Sequence, residues 1–372
     1  MPIPSYFNDF LKNIRLTSNQ IDDLKTGHKT LRNRLAADPE LSKIIVSTFL
    51  QGSYRRSTAI RPNNGKRADV DIIVVTTIDR HGTSPKEVIE KFKPFVDKYY
   101  KDKYRIQGRS IGIELSYVDL DIVITSAPSQ AQQSRLRSAS VTTNLTLEDD
   151  REWKLVEDWV EPQLGAARSQ FLLESIRKQA DWKSEPLWIP DREANQWVET
   201  DPLEQIRWTR EKNKSTNLHY VNVVKAIKWW RVSKLIDLKY PKGYPVEHMI
   251  GDCCPDHITS VAQGITETLE NIVSHYAWNR SIGIVPDLRD RGVQSHDVWK
   301  RVSVEDFNAF YDYVKEAAGI ARQALDASTV HEKVKYWKLL FGKAFPDAPP
   351  PSVKGGFSER NEPTQPSGGR FS

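Results

Sequence analysis

The sequence predicts an α+β fold: a first lobe built on a mixed sheet, then a lobe of helices. Three observations carry this. Short β-branched runs alternate with amphipathic helical stretches in the first half of the chain. From about residue 204 onward only helical spacing remains. Two acids, Asp69 and Asp71, sit inside one of the β-branched runs, where packing alone does not call for them.

The elements follow in order. Residues 20–36 place Ile21, Leu24, Leu31 and Leu35 at helical spacing, with His28 on the same face. IIVSTFL (44–50) reads as a buried strand running into the turn Gln51-Gly52-Ser53. RPNNGKR (61–67) is rich in turn residues, and ADVDIIVVTT after it reads as a strand. A helix is expected over 86–100, with Pro85 at its first turn, where a missing N–H costs nothing. Two more strands are expected near 109–115 and 117–125. In the second half, TNLHYVNVVKAIKWWRVSKLI spaces Leu218, Val221, Val224, Lys225 and Lys228 by three or four. Residues 258–276 and 304–325 are further amphipathic stretches, and the Pro-, Gly- and Ser-rich end from Asp347 is expected to be a disordered tail. The expected division is 1–200 for the N-terminal helix and sheet lobe, 201–346 for the helical lobe and 347–372 for the tail.

Composition narrows the classes of function. Of the 372 residues 38% are hydrophobic and 28% charged, and no apolar run is long enough to span a membrane. The first residues carry charge where a signal peptide needs an apolar stretch, so a cytoplasmic protein is expected. The only two cysteines, Cys253 and Cys254, are adjacent, which rules out a disulfide framework. With His248 and His257 they have the composition of a zinc site. Adjacent cysteines are awkward ligands on a rigid helix, however, and burial as small apolar residues is the favoured reading. The net charge of +5 suits phosphate-bearing ligands without demanding long nucleic acid, because basic and acidic residues are interspersed.

The segment QGSYRRSTAIRPNNGKRADVDIIVV holds the chemistry. Positions two apart on a strand share a face, so Asp69 and Asp71 converge on one spot. Like charges so placed repel unless a cation or proton offsets them, and Mg²⁺ takes carboxylate oxygens together with substrate phosphates. Upstream, Gly52 lets backbone N–H groups approach a phosphate and Ser53 adds a hydroxyl donor. Asp119 and Asp121, in YVDLDIVITSAP, share a parity, and either could add a third carboxylate. The basic residues Arg55, Arg56, Arg61, Lys66 and Arg67 flank these motifs and are expected to serve triphosphate or acceptor binding.

Gly52-Ser53 with Asp69-Val70-Asp71 resembles the DNA polymerase β-like nucleotidyltransferases. Within them the chain is similar to the bacterial cyclic oligonucleotide synthases of the SMODS type. LDIVITSAP resembles that family's third acid-bearing strand, a register that selects Asp121. LWIPDREANQWVETDP, VVKAIKWWR with KGYPVEHM, VPDLRDRGVQSHDVWKRVSVEDFNAF and YWKLLFGKAFP extend the likeness over roughly 44–345. The resemblance implies an active site in the cleft between the lobes. It implies that Asp69, Asp71 and Asp121 bind two Mg²⁺ (or Mn²⁺) and that Gln51, Gly52 and Ser53 contact the donor triphosphate. Lys228 would neutralise that triphosphate, with Lys225 as the alternative, and Tyr244 would stack on the donor base. Gly243 stands where relatives often carry Ser, which leaves only a backbone N–H for phosphate there. The implied activity joins NTPs, ATP or GTP among them, into a cyclic di- or trinucleotide that acts on a downstream effector in antiphage defence. A protein partner could gate it, with no membrane and no obligatory nucleic acid. The rivals are a template-independent RNA tailing enzyme and a silent nucleic-acid-binding module on the same fold.

Overall fold

The computed structural model describes residues 3–63, 65–126 and 186–348. Most of the tail expected from residue 347 therefore lies outside the described residues. No helix among the described residues is long and apolar enough to cross a membrane.

Chain order in the first lobe begins with α1 (Ile3–Ile14), α2 (Ser18–Ala37) and a single turn, α3 (Leu41–Ile44). β1 (Ile45–Gln51), a second single turn α4 (Gly52–Arg55), β2 (Asp69–Thr76) and α5 (Pro85–Tyr100) follow. Then come β3 (Tyr104–Ile106), β4 (Ile111–Glu114), β5 (Asp119–Ser126), β6 (Leu187–Asp191) and β7 (Gln196–Thr200). The strands form one mixed sheet in the order β1-β2-β5-β4-β3, with the β6–β7 hairpin joined at the end of β5. Among the described residues only β2 and β5 run parallel. Leu24, Leu31 and Leu35 of α2 and Val88, Phe92 and Val96 of α5 cover one face of the sheet. Both helices start with reciprocal capping, Thr17 with Gln20 and Ser84 with Glu87, which satisfies first-turn N–H groups. Pro85 is at the first turn of α5, as its sequence predicts.

The second lobe holds α6 (Pro202–Ser215), α7 (Tyr220–Lys234), α8 (Gly243–Cys253), α9 (Val261–His275), the short α10 (Ala277–Ile282), α11 (Val304–Asp326) and α12 (Val330–Phe341). Asn213 and Thr216, at the end of α6, accept the N–H groups of Val221 and Tyr220 (both 3.1 Å) and so start α7. Cys253 and Cys254 are buried and free. His248 points instead at Asp252 (3.2 Å) and the Arg289 carbonyl (2.9 Å), while His257 is exposed. The four do not converge on a metal site, and burial of the cysteines is the outcome.

α1 comes first in the chain but packs in the helical lobe. Tyr6, Phe7, Phe10, Leu11 and Ile14 enter its core, with Phe10 4.3 Å from Phe341 and 5.5 Å from Phe345 between ring centres. The Asn13 side chain donates to the Ala344 carbonyl (2.9 Å). Arg61 fastens the helix from the first lobe by donating to the carbonyls of Lys12 and Arg15 (both 3.1 Å). A division of the chain at residue 200 thus separates α1 from the core it completes. Truncating Phe10 should leave a cavity among three aromatic rings. Phe10→Ala is expected to cost about 3–5 kcal/mol in denaturant unfolding; a cost below about 1 kcal/mol would mean that α1 is not part of that core.

Candidate active site

The parallel pairing of β2 with β5 builds the site. Its register sets Asp69 beside Asp119, Val70 beside Leu120 and Asp71 beside Asp121. Val70, Leu120, Ile72 and Ile122 are buried in the core, so the acids at alternate positions share the other face. On the opposite side of β2, the last residue of β1, Gln51, pairs with Asp71.

The turn after Gln51 is shaped around Asp71. Gly52 has φ +75°, and a Cβ there would lie 1.8 Å from Asp71 Oδ2. Only glycine meets both demands, backbone sign and space. Ser53 follows in α4, and its carbonyl accepts the N–H groups of Thr58 (2.9 Å) and Ala59 (3.1 Å), which folds the loop back on the turn. A second glycine, Gly112 of β4, pairs with Asp121 and leaves room for Gln107 Nε2 to donate to Asp121 Oδ1 (3.0 Å).

Electrostatics separate the four acids. Asp119 is held by Arg67 (2.7 Å), so its charge is offset within the protein. The other three have raised pKa values. Burial, then the charges of Asp69 and Asp121, push Asp71 up to about 7 against the pull of Arg56. Asp121 is raised by burial and by Asp69, with Arg105 opposing. Asp69 still reaches water, yet the surrounding protein raises it too, with Lys228 opposing and Asp119 adding. Among the described residues no three His, Cys, Asp or Glu side chains stand close enough to form a finished metal site. Asp71 Oδ2 lies against Gly52, and Asp121 Oδ1 accepts from Gln107. An oxygen-only set of mutually repelling carboxylates fits a hard divalent cation.

The second lobe supplies the other predicted residues. Lys228 of α7 is buried; its Nζ donates to the Thr58 carbonyl (2.9 Å), and Asp69 is among its charged neighbours. Lys225, one turn earlier and 1% exposed, has Arg15 and Lys228 among its charged neighbours. The structure thus sets Lys228 by the acids and Lys225 in the core behind it. Tyr244 of α8 lies under the Arg56 guanidinium (5.0 Å) and donates its hydroxyl to Asp290 Oδ2 (3.0 Å). It lines a cavity of about 670 Å³ between the β6–β7 hairpin and the helical lobe, together with Arg109, Thr200, Gln205 and Arg301. A side chain at Gly243 would meet no atom within 4 Å, so the position is open.

The basic cluster proves largely structural. Arg55 and Arg56 are buried, Arg61 holds α1 and Arg67 holds Asp119. The partners of Arg56, Arg61 and Arg67 are set by tertiary packing. Glu247 and Thr58 belong to no catalytic motif in the sequence. Glu247 sits inside KGYPVEHM, where nothing in the spacing marks it.

Residues 1–132 match the model of the Second Messenger Oligonucleotide or Dinucleotide Synthetase (SMODS) domain. Over 380 aligned positions, spanning all of both chains, the chain is 46% identical to the probable cyclic AMP-AMP-GMP nucleotide synthase of Salmonella paratyphi B. The chain belongs to the SMODS family. It is 46% identical, again over the whole of both chains, to the cyclic AMP-AMP-GMP synthase of Enterobacter hormaechei. The fold matches CdnC of E. coli MS115-1, solved with ATP (TM-score 0.62, 17% identity, 92% of this chain and 98% of that one). It also matches CdnC in complex with HORMA-deltaN (TM-score 0.60, 16% identity, 92% and 98%). As a SMODS enzyme the chain is a nucleotidyltransferase that joins nucleotides into a cyclic oligonucleotide, with a divalent metal required for the transfer. This sets aside the RNA-tailing and silent-binder rivals.

Gly52→Ala should drive a methyl group into Asp71 and displace it by more than an ångström. Product formation is expected to fall about 100-fold or more, while circular dichroism stays that of the folded enzyme. Turnover within about twofold of the parent would show that the Gly52–Asp71 contact does not set the geometry.

Proposed function

We propose that this SMODS enzyme makes cyclic AMP-AMP-GMP from ATP and GTP, with Asp69, Asp71 and Asp121 holding two Mg²⁺ ions. The observation that carries the site is the register that sets Asp71 beside Asp121 on β5 and beside the bare Gly52 turn. The product is supported by two relatives of that name, each 46% identical over the full chain. Bound Mg²⁺ would supply a lowered pKa for the acceptor hydroxyl and charge to offset the departing pyrophosphate.

The protein's own residues do the rest. The Gly52 N–H and the Ser53 hydroxyl, with Gln51 beside them, bind the donor triphosphate at the turn. Lys228 neutralises part of its charge from the helical lobe. Tyr244 stacks on the donor base at the mouth of the 670 Å³ cavity. Asp119, held by Arg67, stays out of the ion cluster. The linear intermediate turns over in the cleft, and a last transfer closes the ring. The product acts on an effector in antiphage defence, in the cytoplasm. An activating protein gates the enzyme, and nucleic acid is not required.

Nuclease-treated enzyme given ATP, GTP and Mg²⁺ is expected to yield cyclic AMP-AMP-GMP by mass spectrometry. Asp69→Asn, Asp71→Asn and Asp121→Asn should each lose about 1,000-fold, and Asp119→Asn should keep most activity. Products that form only on an RNA primer, or a ranking with Asp119 essential and Asp121 dispensable, would overturn the reading.

A pH dependence follows from Asp71. Its raised pKa means that the cation-free fold is most stable with Asp71 protonated and loses that stability as pH rises through about 7. A cation must displace this proton, so it binds better above about 7. The thermal shift produced by Mg²⁺ should be larger at pH near 8 than near 6; the opposite order would count against Asp71 as a ligand.

A further inference from the structure

Glu247 is 3% exposed, and a carboxylate so buried is costly unless charge and hydrogen bonds repay it. Its partners come from both lobes. From the loop after α4, Arg56 Nε donates to Oε1 (2.7 Å), Arg56 Nη2 lies 3.5 Å from Oε2, and the Thr58 hydroxyl donates to Oε2 (2.8 Å). From α7, Lys228 Nζ stands 3.7 Å from Oε2 while donating to the Thr58 carbonyl (2.9 Å). Arg56, Thr58 and Lys228 are all buried as well.

Each partner leads to a different part of the site. Thr58 is tied by its N–H to the Ser53 carbonyl (2.9 Å), and hence to the Gly52–Ser53 turn. Arg56 spans Glu247 and the face of Tyr244, its guanidinium 5.0 Å from the ring centre. Tyr244 and Glu247 are three apart on α8, so they leave the helix on one face. One carboxylate therefore links the turn, the lysine and the aromatic ring. The hydrogen bonds among them lie outside β2 and β5, while Asp69 and Asp71 are charged neighbours of Lys228 and Arg56.

We propose that Glu247 is a positioning residue that fixes the spacing between the Gly52–Ser53 turn and the Tyr244 ring by holding Arg56, Thr58 and Lys228 in one buried network across the lobes. This rests on the reading that the turn grips the donor triphosphate and Tyr244 its base. Glu247 itself touches no nucleotide. Loosening it lets the two grips drift apart, so donor affinity falls more than the chemical step.

The test compares the parent enzyme with Glu247→Ala, Glu247→Gln and Arg56→Ala/Glu247→Ala, all with Mg²⁺. Calorimetry measures binding of a non-hydrolysable ATP analogue, steady-state assays give KM and kcat, and melting curves report folding. Glu247→Ala is expected to raise Kd and KM about tenfold or more, with a smaller change in kcat. Glu247→Gln keeps an acceptor for Arg56 and a donor for Thr58, so it should recover part of that loss. The double variant should bind no more weakly than Glu247→Ala, because both residues act through one network. If Glu247→Ala fails to fold, Glu247→Gln carries the comparison, with a raised KM supporting the proposal. Folded variants with Kd and KM within about twofold of the parent, or a loss confined to kcat, would overturn it. Failure of the parent to bind the analogue would sink the active-site reading instead.

Discussion

One pairing carries this enzyme: β2 beside β5, parallel in a sheet whose other pairings are antiparallel. Because the two strands run the same way in matched register, alternation on each brings acids of one face to the same height. An antiparallel partner would place its acids at the far end. The cost is a set of carboxylates that resist full ionisation together, visible in the raised pKa values of Asp69, Asp71 and Asp121. The rest of the strand bears that cost. Ile72, Ile73, Val74 and Val75 are all fully buried, so β2 is anchored on both faces just beyond its charged end.

The two lobes divide the handling of charge. The sheet lobe gathers negative groups, and the helical lobe brings Lys228 up to them from behind a wall of apolar residues. Arg67 at Asp119 and Gln107 at Asp121 show how neighbouring acids are given different fates, one neutralised by a cation and one merely oriented by an amide. A carboxylate offset by arginine has little need of a further cation, whereas one held by an amide keeps its charge available.

The strand acids were legible because alternation is a property of a single segment. So were the helices over 20–36, 86–100, 258–276 and 304–325, which the fold extends or trims by a few residues at their ends. The pairing of Asp71 with Asp121 was not legible from spacing alone, since register between distant segments depends on the whole sheet; resemblance selected it. No helix is expected over 3–14, although Tyr6, Phe7, Phe10, Leu11 and Ile14 recur at helical spacing. The partners of the arginines were not legible, because a guanidinium looks the same in sequence whether it meets phosphate, carboxylate or a backbone carbonyl. Glu247 was silent for the same cause, because its meaning comes from partners on two other segments.

The docking of α1 has a consequence for biogenesis. Its Phe10 needs Phe341 and Phe345, and Asn13 needs the Ala344 carbonyl. The sheet lobe can gather its own residues early during synthesis, but the helical core lacks its last partners until residue 345 has left the ribosome. Contacts this distant in sequence form late. The first helix can dock on α7 and α9 earlier, but its aromatic face is complete only when Phe341 and Phe345 arrive, so the two ends of the chain close the helical core together.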